Sequence, residues 1–153
     1  MKFGALALCG TLLLPVAGMA QQTNACDILK QALAGNAAIA SKTPVAAPAS
    51  MAWPNGKMTT VGGGSYSAVL FEGIPSESDV KKMNQAVDAA DKVVSQCLPA
   101  ANRTVAKVGA VDREVRFCIA GNPRRVSIST SVGNRMISAH FAVEVPYTQT
   151  CPR

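Results

Sequence analysis

The sequence predicts an α+β domain in which an antiparallel β-meander is covered on one face by two α-helices. Three observations support this fold class. Residues 80–97 place an apolar side chain at every third or fourth position, which is typical of a helix lying on a core. Residues 114–145 alternate apolar and polar side chains, which is typical of strands covered on one side only. Four cysteines follow an N-terminal leader, and an even number in an exported chain indicates two disulfides.

The first 20 residues have the pattern of a removable export signal. Lys2 precedes an apolar stretch over residues 5–17, and Gly18 and Ala20 supply the small side chains that a signal peptidase recognises. We expect cleavage after Ala20, so that residues 21–153 form a single domain. No later segment is apolar enough for a transmembrane helix. The expected location is therefore the periplasm or the extracellular space, and the alanine-rich composition indicates a bacterial source.

The compartment determines how the cysteines are interpreted. Cys9 leaves with the leader, while Cys26, Cys97, Cys118 and Cys151 remain. They contain no Cys-x-x-Cys pair and the chain has one histidine, so we expect neither a metal site nor a cofactor. Four cysteines allow three pairings. The position of Cys97 on an apolar helix stripe, and of Cys26 on the first turn of another helix, favours Cys26–Cys97 with Cys118–Cys151.

The first half of the mature chain has one predicted helix and one irregular segment. We expect a helix over residues 25–40, with Asn24 as its N-cap. Three prolines and four glycines argue against a long regular element in residues 41–64, which we interpret as a Pro/Gly-rich loop. This loop contains either a short hairpin turning at Asn55-Gly56 or no regular structure. Glycines 62–64 are interpreted as a flexible hinge, because they lack the lysine and the following helix of a phosphate-binding loop.

The second half shows the clearest periodicity. A strand is predicted over residues 65–72, followed by a helix that begins at Ser76 or Ser78 and ends near Cys97. Four further strands are predicted over residues 104–111, 114–120, 125–132 and 136–145. Because the last three of these strands place their apolar side chains on one face, the two helices are expected to cover that face of the meander.

Positive charge is concentrated in the last third of the chain. Residues 21–100 carry six lysines and six acidic residues, whereas residues 101–153 carry seven arginines and one lysine against three acidic residues. Arginine side chains bind carboxylates and phosphates in a bidentate manner. Two interpretations stay open. The cations either protect exposed strand edges from aggregation or form a surface for an acidic partner.

The outward side of the predicted meander collects polar side chains, among them Arg116, Arg125 and His140. A serine, His140 as its base and Glu144 as the orienting carboxylate would form a hydrolase triad. However, Glu144 lies four residues further along the same strand, about 13 Å away at roughly 3.3 Å per residue. The chain also lacks a strained nucleophile turn. We therefore expect a solvated polar face, and catalysis at His140 is the weakest of three functional hypotheses.

Trp53 is the only tryptophan, and it lies in the irregular segment. It either anchors a binding interface or folds back as a lid on the core. We assign it to a partner-binding surface together with Arg116, Arg125, Arg135 and His140.

These features predict a non-enzymatic envelope protein that binds an acidic protein or an anionic envelope component, in the form of a small inhibitor or immunity-type protein. The alternative is a sensor or carrier of a small anionic or lipid ligand in the periplasm. That alternative requires a pocket, which residues 41–64 would close over the sheet. Nucleic acid is not an expected partner, because the basic strands lack interleaved aromatic side chains.

Overall fold

The computed structural model describes residues 17–145, with side chains from residue 24 onward. The elements follow one another as α1 (Ala17–Ala34), α2 (Ala37–Ala40), β1 (Val45–Ala46), a 3-10 turn (Ala49–Met51), β2 (Met58–Gly62), β3 (Ser65–Gly73), α3 (Glu77–Cys97), β4 (Asn102–Lys107), β5 (Glu114–Cys118), β6 (Arg125–Val132) and β7 (Ile137–Glu144). This confirms the α+β class. No helix in the described residues is long and apolar enough to cross a membrane.

All seven strands pair antiparallel in one sheet, in the order β1-β2-β3-β7-β6-β5-β4. Strands β4 to β7 form the predicted meander. Strand β3 pairs with β7, and β2 and β1 extend the sheet beyond it. Strands β3 and β4 lie far apart in the sheet. Helix α3, which connects them, therefore crosses one face of the sheet and packs against β3, β7 and β6.

Helix α3 forms where its periodicity and capping predict it. The Ser76 side chain accepts a hydrogen bond from the backbone N–H of Asp79 at 3.2 Å, which caps the first turn. Glu77 and Asp79 lie in that turn, where carboxylates interact favourably with the helix dipole. The buried stripe of the helix consists of Met83, Val87, Ala90 and Val94. This stripe covers the sheet.

The predicted helix over residues 25–40 starts later than the observed one and is interrupted after Ala34, although its predicted end at Ala40 agrees with the end of α2. Helix α1 covers Ala17–Ala34, so Asn24 lies inside it and is not its cap. Gly35 ends the helix with a φ of 70°, a left-handed conformation that glycine adopts without steric cost. Asn36 then caps the short α2 by accepting a hydrogen bond from the Ile39 N–H at 3.1 Å. The segment predicted as one helix therefore belongs to two helices, α1 and α2.

Residues 41–64 contain more regular structure than the sequence predicts. Strand β2 pairs with β3 through a tight turn at Gly63 and Gly64, whose φ values are 63° and 81°. Positive φ at both central positions is typical of a two-residue hairpin turn. These glycines therefore form a turn rather than a hinge. A tight hairpin turn at Asn55-Gly56, one of the two alternatives for this segment, does not form, because these residues lie in a separate turn within the long connection between β1 and β2.

The core lies between one face of the sheet, here called the inner face, and helices α1 and α3. Strand pairing places Tyr66 beside Val143, Val143 beside Val126, and Val126 beside Phe117. These four side chains form a row across the sheet, and each is at most 1% exposed. The opposite face of the sheet, here called the outer face, carries the alternate residues of the same strands.

One disulfide is present in the described part of the chain, and it is the predicted Cys26–Cys97 pair. It joins α1 to the last residue of α3, with 5.0 Å between the two Cα atoms and a sequence separation of 71. The second predicted pair, Cys118–Cys151, includes a residue outside the described range. A disulfide is consistent with an extracellular or periplasmic protein.

Candidate functional site

Trp53 begins a turn, residues 53–56, that folds back over the inner face. The Gly56 N–H donates to the Trp53 carbonyl at 2.9 Å, and Asn55 has a φ of 61°. The Trp53 ring stacks on Phe141 with 4.1 Å between ring centroids, and the residue is 5% exposed. The Trp53 N–H donates to Thr59 Oγ1 at 3.1 Å. Trp53 therefore packs on the core, which is one of the two arrangements that the sequence allows.

A buried hydroxyl holds the chain just before this turn. The Tyr66 hydroxyl donates to the Met51 carbonyl at 2.8 Å, and its ring meets Phe141 edge-on at 5.9 Å. Burial raises the pKa of Tyr66 well above its ordinary value. The hydroxyl therefore stays protonated and keeps donating, which stabilises the path of the chain from the 3-10 turn to Trp53.

A groove lies between the 53–56 turn and α3. Its volume is about 330 Å³. The residues that line it are Ala25 from α1, Trp53, Pro54 and Asn55 from the turn, Leu70 from β3, and Ala86, Ala89, Ala90, Lys92, Val93 and Gln96 from α3. Most of these side chains are apolar, so the groove has an apolar wall with a few polar groups.

The helix wall of the groove follows from a second apolar stripe on α3. Ala86, Ala89, Ala90 and Val93 recur at steps of three and four residues, beside the stripe that covers the sheet. Alanine side chains are short, so they leave space between the helix and the Trp53 ring on the other side. The groove therefore results from small residues facing one large aromatic residue.

Lys92 is the cationic side chain of the groove, and it is solvent-exposed. The two acidic residues nearest to it in α3 bind other cations. Asp88 Oδ1 lies 2.7 Å from Arg113 Nη2, and Asp91 Oδ1 lies 2.9 Å from Arg103 Nε. Within the described residues no ion pair includes Lys92. Its positive charge is therefore not neutralised by a contact with a carboxylate.

The outer face of the sheet carries Arg116 and Arg125, and both lie beside carboxylates. Arg116 donates from Nε and Nη2 to the two carboxylate oxygens of Glu114, at 2.7 and 2.8 Å. This pairing lowers the pKa of Glu114 and raises that of Arg116. Arg125 Nη2 lies 3.6 Å from Glu144 Oε1, and its buried Nε has no hydrogen-bond partner among the described residues. These arginines therefore present less net charge than the sequence indicates.

His140 also lies on the outer face, where its Nε2 is 2.7 Å from Ser138 Oγ. Ser138 is 4% exposed, which leaves little access for a substrate. Glu144 pairs in register with Arg125, and no hydrogen bond joins a carboxylate to His140 in the described residues. The described side chains also contain no cluster of His, Cys, Asp or Glu suited to a metal ion.

The structure separates the five residues that the sequence assigns to a partner-binding surface. Trp53 packs on the inner face, whereas Arg116, Arg125 and His140 lie on the outer face. Arg135 is exposed in the turn between β6 and β7. The five residues therefore do not lie on one face of the sheet.

Sequence reasoning identified Trp53 but missed the helix side of the groove. The signal is present in the sequence, because Ala86, Ala89 and Val93 continue an apolar spacing beside the core stripe. It is weak, because alanine occurs on both buried and exposed helix surfaces.

Comparison with protein-family models, with curated proteins and with solved structures gives no match to this chain.

Proposed function

We propose that this protein is an exported binding protein that holds a small apolar or amphipathic molecule in the groove between the 53–56 turn and α3. The observation that supports it is the groove itself, with a volume of about 330 Å³ and a mainly apolar lining. Small-molecule sites are concave and largely apolar, with a few polar groups, and have volumes of roughly 300–1,000 Å³. The groove lies at the small end of this range.

The aromatic wall also supports a binding site. Trp53 is stacked on Phe141 and held by a backbone hydrogen bond to Thr59. An aromatic side chain that is already ordered loses little conformational entropy when a ligand packs against it. The groove is therefore largely formed before the ligand binds.

Binding to an acidic macromolecule, the leading hypothesis from the sequence, has less support. Four arginines of the last third lie within 4 Å of a carboxylate of the same chain: Arg103, Arg113, Arg116 and Arg125. Trp53 lies on the opposite side of the sheet from Arg116 and Arg125. Trp53 and these two arginines therefore do not form one continuous surface.

Export is part of the proposal, and it can be checked on the purified protein. The expected cleavage site after Ala20 lies within α1, which begins at Ala17. The intact mass of protein recovered from the periplasm or the medium should correspond to a chain that begins at Gln21 and contains oxidised cysteines. A mass that includes residues 1–20 would contradict the export signal.

Fluorescence of Trp53 provides a direct test of binding, because the chain has no other tryptophan. We expect a saturable change in emission when 1-decanol is added to the oxidised protein. Replacing Ala89 with phenylalanine fills the groove and should weaken binding at least tenfold. Gln85→Phe places the same side chain on an exposed α3 position outside the lining and serves as the matched control.

Two results would contradict the proposed function. The first is an emission spectrum that does not respond to decanol or to other ten-carbon amphiphiles. The second is equal binding by the wild type and by Ala89→Phe, because the ligand would then lie outside the groove.

A further inference from the structure

We infer that the natural occupant of the groove is an anionic amphiphile, an apolar chain that ends in a carboxylate or phosphate, and that Lys92 binds its head group. This inference rests on the proposed function and adds the chemical class of the ligand. It is carried by two observations on the described part of the chain: Lys92 takes part in no ion pair there, and no acidic residue there lines the groove.

The first observation is that Lys92 is available. The carboxylates of Asp88 and Asp91 bind Arg113 and Arg103, at 2.7 and 2.9 Å. Asp88 is four residues before Lys92, the spacing at which helical ion pairs form. The Asp88 carboxylate nevertheless pairs with Arg113 and not with Lys92. No carboxylate of the described residues therefore pairs with the ammonium group of Lys92, which can bind a ligand.

The second observation is the composition of the wall. Among the described residues no aspartate or glutamate lines the groove, and the polar lining residues apart from Lys92 are the neutral Asn55 and Gln96. An anionic head group at this site meets one cation and no like charge. A cationic head group meets only repulsion from Lys92, and a neutral one loses the charge–charge attraction.

The long side chain of Lys92 can contact both the apolar chain and the anionic head group of the ligand. A lysine side chain packs its methylene groups along apolar surface and keeps its ammonium in water. Lys92 follows Ala89 by three residues on α3 and directly precedes Val93, and all three line the groove. The apolar chain of the ligand can therefore contact the alanine wall and Trp53 while its head group meets the ammonium.

The test compares ten-carbon ligands that share one apolar chain and differ in head group. Decanoate, decyl phosphate, 1-decanol and decyltrimethylammonium are titrated below their micelle concentrations, with Trp53 emission as the readout. We expect the two anions to bind about fivefold more tightly than decanol, which is the effect of one exposed ion pair. Decyltrimethylammonium should bind most weakly. The preferred anion identifies the head group as a carboxylate or a phosphate.

Lys92→Gln is the decisive variant, because it removes the charge and keeps an apolar stem. Decanoate should then bind no more tightly than decanol, while the affinity for decanol is unchanged. Lys81→Gln is the matched control. Lys81 is exposed on the same helix, outside the groove lining, and its replacement should preserve the preference for anions. High salt should reduce the preference in the wild type.

The outcomes separate this inference from the proposed function. Equal affinities for all four ligands, or an anion preference that persists in Lys92→Gln, would overturn the role of Lys92 and leave the groove as a binding site. Absence of binding by every ligand would overturn the proposed function and the inference with it.

Discussion

The inner and outer faces of the sheet are formed by alternate residues of the same strands, yet their surroundings differ. Helices cover the side chains of the inner face, whereas charged side chains on the outer face pair with one another. On β6, Ile128 points to the inner face and is completely buried, while its neighbour Ser129 points outward and is half-buried. The inner face also borders the groove, where small residues leave space unfilled.

This difference shows that the charge of a segment does not predict the charge of a surface. Residues 101–153 carry a net charge of +5 by sequence. Glu114 and Glu144 nevertheless lie on the outer face beside Arg116 and Arg125. By contrast, Lys92 belongs to residues 21–100, which carry no net charge, and none of the ion pairs among the described residues includes it.

The largest effect should come from the inner face. Ile128→Ala removes buried methyl groups from beneath the helices and should lower the free energy of unfolding by about 2–5 kcal/mol. Ser129→Ala, one residue further along β6, should change it by less than about 0.5 kcal/mol. Urea denaturation followed by circular dichroism measures both values. Similar losses in the two variants would mean that both faces are equally packed.

The Cys26–Cys97 disulfide should have the next largest effect, because it joins the two helices of the inner layer across 71 residues. Replacing both cysteines with serine should lower the free energy of unfolding by about 2–4 kcal/mol. The same urea experiment measures this change, with the oxidised wild type as reference. An unchanged midpoint would show that helix packing alone holds this layer together.

On the outer face, Glu114→Gln should lower the free energy of unfolding at neutral pH by about 1–2 kcal/mol, because it removes a bidentate charged hydrogen bond to Arg116. The pKa of Glu114 is lowered in the folded state from its ordinary value of 4.5. Its contribution is therefore complete above that ordinary value and is lost as the pH falls through the lowered one.

Unfolding measurements between pH 7 and pH 2 check the sign of this prediction. The wild type and Glu114→Gln should differ at pH 7 and converge at the acid end. Asp112→Asn removes a more exposed pair with Lys107 and should cost less than about 0.5 kcal/mol at any pH. A difference for Glu114 that grows as the pH falls would contradict the pairing.

The smallest effect on ligand affinity is expected for a substitution on the outer face, because the groove lies on the other side of the sheet. His140→Ala removes the hydrogen bond to Ser138 on the outer face and should leave the affinity for decanoate within a factor of about two. Trp53 fluorescence measures that affinity. A larger change would mean that the two faces are coupled through β7.

Much of the fold could be predicted from the sequence, and particular residues show why the rest could not. The bounds of β6 agree with its alternation, and α3 begins beside the expected Ser76 cap and ends at Cys97. Strand β2 was missed because the prolines and glycines around it hide its short alternation. The end of α1 was missed because Gly35, the residue that ends it, lies within an apolar pattern that continues to Ile39.

The candidate site was predicted less well than the fold. Trp53 is conspicuous in the sequence because it is a lone aromatic residue among prolines and glycines. Its stacking on Phe141 depends on a contact between residues 88 positions apart in the chain. The ion pair between Arg113, which directly precedes β5, and Asp88 of α3 likewise joins residues that are distant in the chain. No local pattern encodes either contact.

The sequence by itself determined the α+β class, the capped and amphipathic α3, the faces of strands β5, β6 and β7 and the favoured partner of Cys26. Each of these follows from local spacing, since side-chain direction in a helix or strand repeats with a known period. Only the tertiary structure decided that β3 pairs with β7, that the outer arginines meet carboxylates, and that alanines of α3 face Trp53 across a groove. These features depend on residues far apart in the chain, whose approach is set by the packing of the whole domain.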